Sequence, residues 1–303
     1  MKPRQRRRWE RGKVFRSALP HFEYVRPRSV KDAIRILARH KGEAALLAGG
    51  TDLVVRMKMD RQAPKTIVDI KRLKPLGGPV KPSGKSAIAI PPLTTLAEIA
   101  TSTLLKRRLP VLPATALLMA SPQVRNRATV GGNLANAAPS ADMAPPLVAL
   151  GARVKIHRRG GVRTIALEEF FTGPGETVLG RTGILGTITV PLLPRGARAA
   201  YHAHTVREAM DLSIASAAAC VHRKGGKVVS ARIVLGAVAP TPLRVPAAEQ
   251  VLVGTRGTPE DVEAAAEAAA AASRPITDVR ATEGYRRDIV KVVVQRALAE
   301  VLS

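Results

Sequence analysis

Cysteine is almost absent from this sequence: Cys220 stands alone among 303 residues. One thiol cannot close an intrachain disulfide, nor can it supply the four thiolates of a common iron–sulfur cluster. It sits in an Ala-rich apolar run and reads as a small buried hydrophobe. Aromatics are also scarce, at 3%, so the core must be built from Ala, Val, Leu and Ile. No apolar run approaches membrane-span length: Met143–Leu150 is interrupted by Pro145 and Pro146, and Ile214–Val221 stops at His222. Neither the phosphate-loop pattern G-x-x-x-x-G-K-S/T nor G-x-G-x-x-G opening a βαβ unit occurs, which disfavours P-loop and Rossmann enzymes. The six histidines are scattered with no H-E-x-x-H spacing, and no metal site is assigned to them.

Acidic residues are outnumbered, 23 against 49 Lys and Arg, giving a formal net charge of +26. Eight of the cationic side chains fall in the first sixteen residues, opposed only by Glu10. That stretch has no apolar core, so it is not a secretory signal, and its twin arginines lack the apolar segment of a Tat signal. A disordered basic arm over 1–18 and a cytoplasmic protein are expected. Such charge could serve nucleic acid, but it is spread out, aromatics for stacking are few, and no RRM, KH or helix-turn-helix pattern appears. A solvated basic surface that meets acidic partners is the favoured reading.

The chain is 46% hydrophobic, which is globular in character and long enough for two domains. Strands are predicted at Phe22–Val25, Ala44–Ala48, Thr66–Ile70, Ala87–Ile90, Arg153–His157, Val162–Ile165 and Ile184–Val190. Helices are predicted at Val30–His40 (capped by Ser29, with Ile34, Leu37 and Ala38 inward), from Thr94 or Thr95 to Leu105, from Pro110 to Ala120, and around Met143–Leu150. Pro191, Pro194 and Gly196 mark a boundary. Beyond it strands are expected at Ala199–His204, Ser213–His222 and Lys227–Val238, the last two joined by a Gly225-Gly226 hairpin turn. Helices then follow at Pro246–Leu252, Pro259–Ala272 and Thr282–Leu302. Strands followed by helices indicate an α+β domain with a three-stranded antiparallel sheet.

Two stretches carry chemistry. One is Leu46-Leu47-Ala48-Gly49-Gly50-Thr51-Asp52-Leu53; the other runs from Ala128-Thr129-Val130-Gly131-Gly132-Asn133 to Asp142. Adjacent glycines let a backbone approach a ligand closely and point bare N–H groups at it. The flanking Thr, Asn and Asp side chains add hydrogen-bonding groups. Both are expected to be loops gripping a long, phosphate-containing cofactor at two places.

These residues resemble the FAD-binding subunit of molybdenum hydroxylases, the family of the CO dehydrogenase medium subunit and the flavin subunits of xanthine and aldehyde dehydrogenases. The resemblance runs from about Leu19 to Leu302. Besides the two Gly-Gly motifs it rests on Phe22-x-Tyr24-x-x-Pro27, Pro139-x-x-Asp142, Phe170-Phe171-x-Gly173-Pro174 and Ile188-x-Val190-Pro191. Further on come Arg207-x-x-Met210-Asp211-Leu212, Leu235-Gly236-Ala237-Val238-Ala239-Pro240-Thr241-Pro242, Tyr285-Arg286-Arg287 and Arg296-Ala297-Leu298.

The resemblance implies an α+β protein. A two-part FAD-binding domain of the PCMH/vanillyl-alcohol-oxidase type, over 19–193, precedes a CO dehydrogenase flavoprotein-type C-terminal domain, over 194–303. It implies noncovalent FAD lying between the two parts of the first domain. Ala48, Gly49, Gly50, Thr51, Asp52 and Leu53 would wrap the pyrophosphate, with Leu47 leading in. Thr129, Gly132, Asn133 and Asp142 would take pyrophosphate, ribityl and flavin edge. Met119 and Ala120 would lie beside the isoalloxazine, and Leu185 would pack on it. Gly132→Val is accordingly expected to abolish FAD binding.

The sequence departs from the family's pattern in two places. Ala203 stands where members often carry Lys or Arg, with His202 and His204 directed to the opposite strand face, and Gly183 stands where many carry Glu. The function implied is an electron-transfer subunit. A two-iron two-sulfur small subunit would feed electrons to FAD here, and a molybdopterin-binding large subunit would oxidise substrate, in a heterohexamer. The alternative is a self-contained FAD-dependent reductase of the same superfamily, which would need its own substrate pocket with a proton donor.

Overall fold

The computed structural model describes residues 18–207 and 210–303. The expected basic arm over 1–18 therefore lies outside the described residues except for Ala18, and so do Glu208 and Ala209.

Three short strands, β1 (Glu23–Val25), β2 (Ala44–Leu47) and β3 (Thr66–Asp69), form a parallel sheet in the order β1-β3-β2. Helix α1 (Val30–Arg39) covers it; Ser29 Oγ accepts from the Asp32 amide at 3.0 Å and starts the helix. Val30, Ala33, Ile34 and Leu37 form its buried stripe. Ala38, predicted inward, is exposed, because the stripe follows the 30/33/34/37 spacing. Helix α2 (Thr51–Lys58) then follows β2 directly.

A five-stranded sheet comes next. Its strands are β4 (Lys81–Ser83), β5 (Ala87–Ile90), β6 (Arg153–Arg158) and β7 (Gly161–Ala166), with a small hairpin of β8 (Phe171–Gly173) and β9 (Glu176–Thr177) before β10 (Ile184–Pro191). The order β4-β5-β10-β6-β7 is antiparallel throughout. The single helix expected from Thr94 or Thr95 to Leu105 is two: α3 (Leu96–Thr101) and α4 (Thr103–Arg108). Ser102 divides them, with ψ at 113° and its Oγ accepting from the Leu105 amide at 3.3 Å. It acts as a cap for the second helix and cannot continue the first. Helices α5 (Val111–Leu118), α6 (Pro122–Arg125), α7 (Val130–Asn136) and α8 (Ala144–Ala149) complete this part.

The C-terminal sheet is antiparallel and contains the three expected strands, β11 (Ala197–His204), β12 (Ala215–Lys224) and β13 (Lys227–Gly236). A two-residue strand, β14 (Leu243–Arg244), adds to the β13 edge. Gly225 and Gly226, at φ 59° and 76°, make the turn between β12 and β13, and only glycine adopts two such residues in succession readily. Helices α9 (Pro246–Leu252), α10 (Pro259–Ala272) and α11 (Glu283–Leu302) back one face.

The run Ala215–Val221 is apolar except for the buried Ser216, because both its faces are covered. Ala217, Ala219 and Val221 join the core under α9–α11, while Ala218 and Cys220 meet the core of the preceding part. Helix α8, buried along its whole length, lies against that second face. Burial pushes the Cys220 thiol up to about 11, as expected of an inert core cysteine. Among the described residues no helix is long and apolar enough to cross a membrane.

Candidate functional site

A cleft of about 1190 Å³ is walled by the end of β2 and the start of α2, by residues from Met119 to Asp142, by the β8–β10 region, and by Arg207, Met210–Leu212 and Arg280 from the C-terminal part. Ala48, Gly49, Gly50, Thr51, Asp52, Leu53, Met119, Ala120, Thr129, Gly132, Asn133, Asp142 and Leu185 all line it. Leu47 does not; its Cδ1 lies beneath Gly50, 2.9 Å from where a Cβ would stand there.

The two Gly-Gly motifs, both expected to be loops, are helix N-termini, and they differ. In the first, Gly50 has φ 80° and caps α2 with no side-chain hydrogen bond. The first-turn amides of Thr51, Asp52 and Leu53 are thus left to a ligand or water, at the positive end of the helix. In the second, Thr129 Oγ1 accepts from the Gly132 amide at 3.0 Å. The Val130 amide donates to Thr94 O at 2.9 Å and the Gly131 amide to Pro92 O at 2.8 Å. These N–H groups are not bare, contrary to the expectation from sequence. The second motif packs the chain closely and offers side chains, while the first offers amides.

Packing also dictates the glycines. A Cβ on Gly49 would stand 2.1 Å from Arg127 O, and one on Gly131 would stand 2.5 Å from Pro92 O. The first motif therefore rests directly on the segment leading into the second. Gly132 lies outside the left-handed region, and a Cβ there would meet only Thr129 Oγ1, at 2.9 Å.

Among the side chains, Asn133 Oδ1 is buried without a hydrogen-bond partner. An orphaned acceptor in a cleft wall is costly unless a ligand satisfies it. Asp142 Oδ1 accepts from the Tyr201 hydroxyl at 2.6 Å and from the Ser213 hydroxyl at 2.5 Å. Burial raises the Asp142 carboxyl above its ordinary range, against these two hydrogen bonds, which lower it. Tyr201 is raised well above its usual value, by burial first and the neighbouring carboxylate second. Asp142 thus joins the cleft to the C-terminal sheet, a role the sequence did not reveal. Asp142→Ala should leave two buried hydroxyls without this acceptor and cost about 2 kcal/mol, whereas Asp142→Asn keeps an oxygen there and should cost less. Thermal unfolding should register roughly 5 °C for the alanine variant; an unchanged midpoint would remove Asp142 from this role.

Arg125 fastens the cleft lip. Its Nη1 donates to Leu117 O at 3.3 Å, Met119 O at 2.7 Å and Ala120 O at 2.8 Å. It satisfies the free carbonyls after α5 and holds Ala120 at φ 49°. Arg181 and Arg280 also line the cleft without any local sequence pattern to announce them. Arg207, by contrast, belongs to a segment singled out above.

The two departures have physical settings. Ala203 packs half-buried against the middle core and is not part of the cleft wall. His202 and His204 do face the other way: their Nε2 atoms contact Glu300 at 2.8 Å and the Tyr285 hydroxyl at 3.0 Å on α11. Gly183 lines the cleft, and a Cβ there would stand 2.5 Å from Leu179 O, so the turn as built excludes a Glu side chain.

Two families match the chain. The FAD binding domain in molybdopterin dehydrogenase covers residues 20–193, and the CO dehydrogenase flavoprotein C-terminal domain covers 199–301. The carbon monoxide dehydrogenase medium chain of Hydrogenophaga pseudoflava is 35% identical over 279 residues, 92% of this chain and 96% of its own. The xanthine dehydrogenase FAD-binding subunit of Escherichia coli O157:H7 is 32% identical, over 92% of this chain and 96% of its own. Among solved structures, a carbon monoxide dehydrogenase from Hydrogenophaga pseudoflava superposes with a TM-score of 0.90 at 36% identity, covering 93% of this chain and 97% of the other. Quinoline 2-oxidoreductase from Pseudomonas putida 86 gives 0.88 at 28% identity, covering 94% and 98%.

Proposed function

The chain belongs to the FAD-binding family of the molybdopterin dehydrogenases, and from that membership we propose that it is the electron-transfer flavoprotein subunit of a multi-subunit molybdenum hydroxylase in the cytoplasm. The observation that carries the reading is the uncapped start of α2 at the wall of a cleft of about 1190 Å³. Amides at a helix N-terminus suit a pyrophosphate, and a cleft of this extent suits a dinucleotide. The orphaned Asn133 Oδ1 in the same wall supplies an acceptor for a ligand donor.

In this proposal Gly50 and the amides of Thr51, Asp52 and Leu53 hold the two phosphates. Ala48 and Gly49 let the backbone come close, with Leu47 supporting the turn from below. Thr129, Gly132 and Asn133 hold the middle of the cofactor, and Asp142 offers its second carboxylate oxygen at the flavin edge. Met119, Ala120 and Leu185 supply apolar walls that exclude water. Bound there, FAD supplies the redox chemistry; the chain's own residues position it and set its surroundings. Substrate oxidation is assigned to a molybdopterin-binding large subunit and electron delivery to a two-iron two-sulfur small subunit, together a heterohexamer. Among the described residues no group of three or more His, Cys, Asp and Glu could hold a metal, and the lone cysteine is half-buried against the core.

Acid precipitation of the purified chain is expected to release a yellow supernatant containing FAD and not FMN, since the amide cradle suits two phosphates. A colourless protein that takes up no FAD on reconstitution would sink the proposal. So would a lone chain that turns over substrate without iron or molybdenum, measured by size-exclusion chromatography with metal analysis; that result favours the self-contained reductase.

A further inference from the structure

From Ile99 to Ala141 the chain contains no Asp or Glu, yet it carries Lys106, Arg107, Arg108, Arg125 and Arg127. This stretch builds α4 to α7, and from Met119 onward it lines the cleft. At the end of α5 two consecutive leucines protrude, Leu117 at 56% and Leu118 at 60% exposure. The next two residues, Met119 and Ala120, line the cleft. The Arg125 guanidinium bonds three carbonyls across this turn, so the leucines stand on a braced support. A helix end needs no leucine there, and two adjacent exposed ones on a charged protein mark a contact surface.

We propose that the Leu117–Leu118 lip, set in a basic stretch of chain that carries no Asp or Glu, is the docking surface for the iron–sulfur subunit; the inference rests on the proposed function. Charge selects this occupant. Two ferric ions, two sulfides and four thiolates leave the cluster with a net negative charge, which grows on reduction. A protein that brings such a cluster to its surface presents negative potential, and the lip presents the complement. Position selects it too. Electrons must cross at the edge of the flavin cleft, and this lip is outer surface that runs directly into the cleft-lining Met119 and Ala120. Exposed Lys106, Arg107, Arg108 and Arg127 steer the encounter, and the leucines supply the apolar contact at its centre.

The test uses the assembled complex. A chain with Leu117→Asp and Leu118→Asp is co-produced with its subunits, and its FAD content and affinity for the iron–sulfur subunit are measured. The expected result is FAD at the wild-type ratio with at least a tenfold weaker hold on that subunit. A second variant, Leu118→Cys, is labelled with a thiol-directed photocrosslinker; the native Cys220 is half-buried, with its thiol raised to about 11, and should label far more slowly. Crosslinks should map to the iron–sulfur subunit. Unchanged affinity in the double variant, or crosslinks to the molybdenum subunit or to a second copy of this chain, would overturn the docking assignment while leaving the proposed function intact. A wild-type chain that binds no FAD and recruits no iron–sulfur subunit would overturn both.

Discussion

A Gly49→Ala chain is expected to purify without bound flavin. The added Cβ would stand 2.1 Å from Arg127 O, 2.8 Å from Arg127 C and 3.0 Å from Ala128 Cα. These are backbone atoms, and no rotamer change can clear them. The two motifs must separate, and that displaces the start of α2 from the wall it shares with Thr129–Asn133. Forced overpacking typically costs about 1–3 kcal/mol, and a backbone obstacle belongs at the upper end. If that strain falls on the bound geometry, FAD affinity drops about a hundredfold, the equivalent of ~2.7 kcal/mol. Gly131→Ala should follow, because its Cβ meets Pro92 O at 2.5 Å and would disturb a 2.8 Å hydrogen bond. Gly132→Ala should be mildest of the three, since its Cβ meets only Thr129 Oγ1 at 2.9 Å and threatens a cap worth about 1 kcal/mol. Sequence singled out Gly132→Val alone; the backbone contacts add Gly49 and Gly131 as positions where even a methyl group collides. Flavin absorbance per chain and fluorescence titration with added FAD would measure the series. A yellow, stoichiometric Gly49→Ala protein would show that the motifs can part without consequence for the cofactor.

The same glycines show where a single sequence stops being informative. Two glycines inside a short helix cost about 1 kcal/mol each relative to alanine, so Val130–Asn136 reads as a loop. What makes it a helix is tertiary: Thr129 caps it, and Gly131 fits against Pro92, which is 39 positions away in the chain. Helix α2 was missed for a related reason, because Gly50 in the left-handed region starts it without any Ser, Thr, Asp or Asn cap. Elements with strong local signals were legible. Ser29 announced α1, and the apolar run near Ala215–Val221 announced a strand, which the fold then buries on both faces. The cofactor-contacting roles came from the resemblance, since nothing in local pattern distinguishes Leu185 from any other strand leucine. Asp142 was found as a polar residue near a glycine pair; its bond to Tyr201, 59 residues away, could not be.

The largest loss of stability is expected at Arg286. Its side chain is only 4% exposed on α11. Nη1 donates to Ile214 O at 2.6 Å and Ala237 O at 3.4 Å, and Nη2 donates to Asp278 Oδ1 at 2.8 Å. One guanidinium therefore ties the entry to β12, the turn after β13 and the loop that carries Arg280 to the cleft. Arg286→Met keeps the bulk and removes every donor. The Ile214 carbonyl is left unsatisfied and Asp278 loses its buried partner, a break worth about 3–5 kcal/mol, or an unfolding temperature lower by roughly 10 °C. Arg286→Lys should rescue only part, because a single ammonium cannot reproduce a fork spanning three acceptors. The pH dependence distinguishes this ion pair from lost packing. Hydrogen bonding from the Arg280 amide first, and then from the Arg286 side chain and the Ala281 amide, holds the Asp278 carboxyl down at about 2, against the opposing effect of burial. Its folded value lies below the unfolded one near 4, so the stabilisation is complete above about pH 4 and is lost as pH falls toward 2. The gap between wild type and Arg286→Met should be widest at neutral pH and narrow through that acidic window. A gap that stays constant down to pH 2 would mean that Arg286 acts through packing alone, and equal unfolding temperatures at pH 7 would remove it as the clamp.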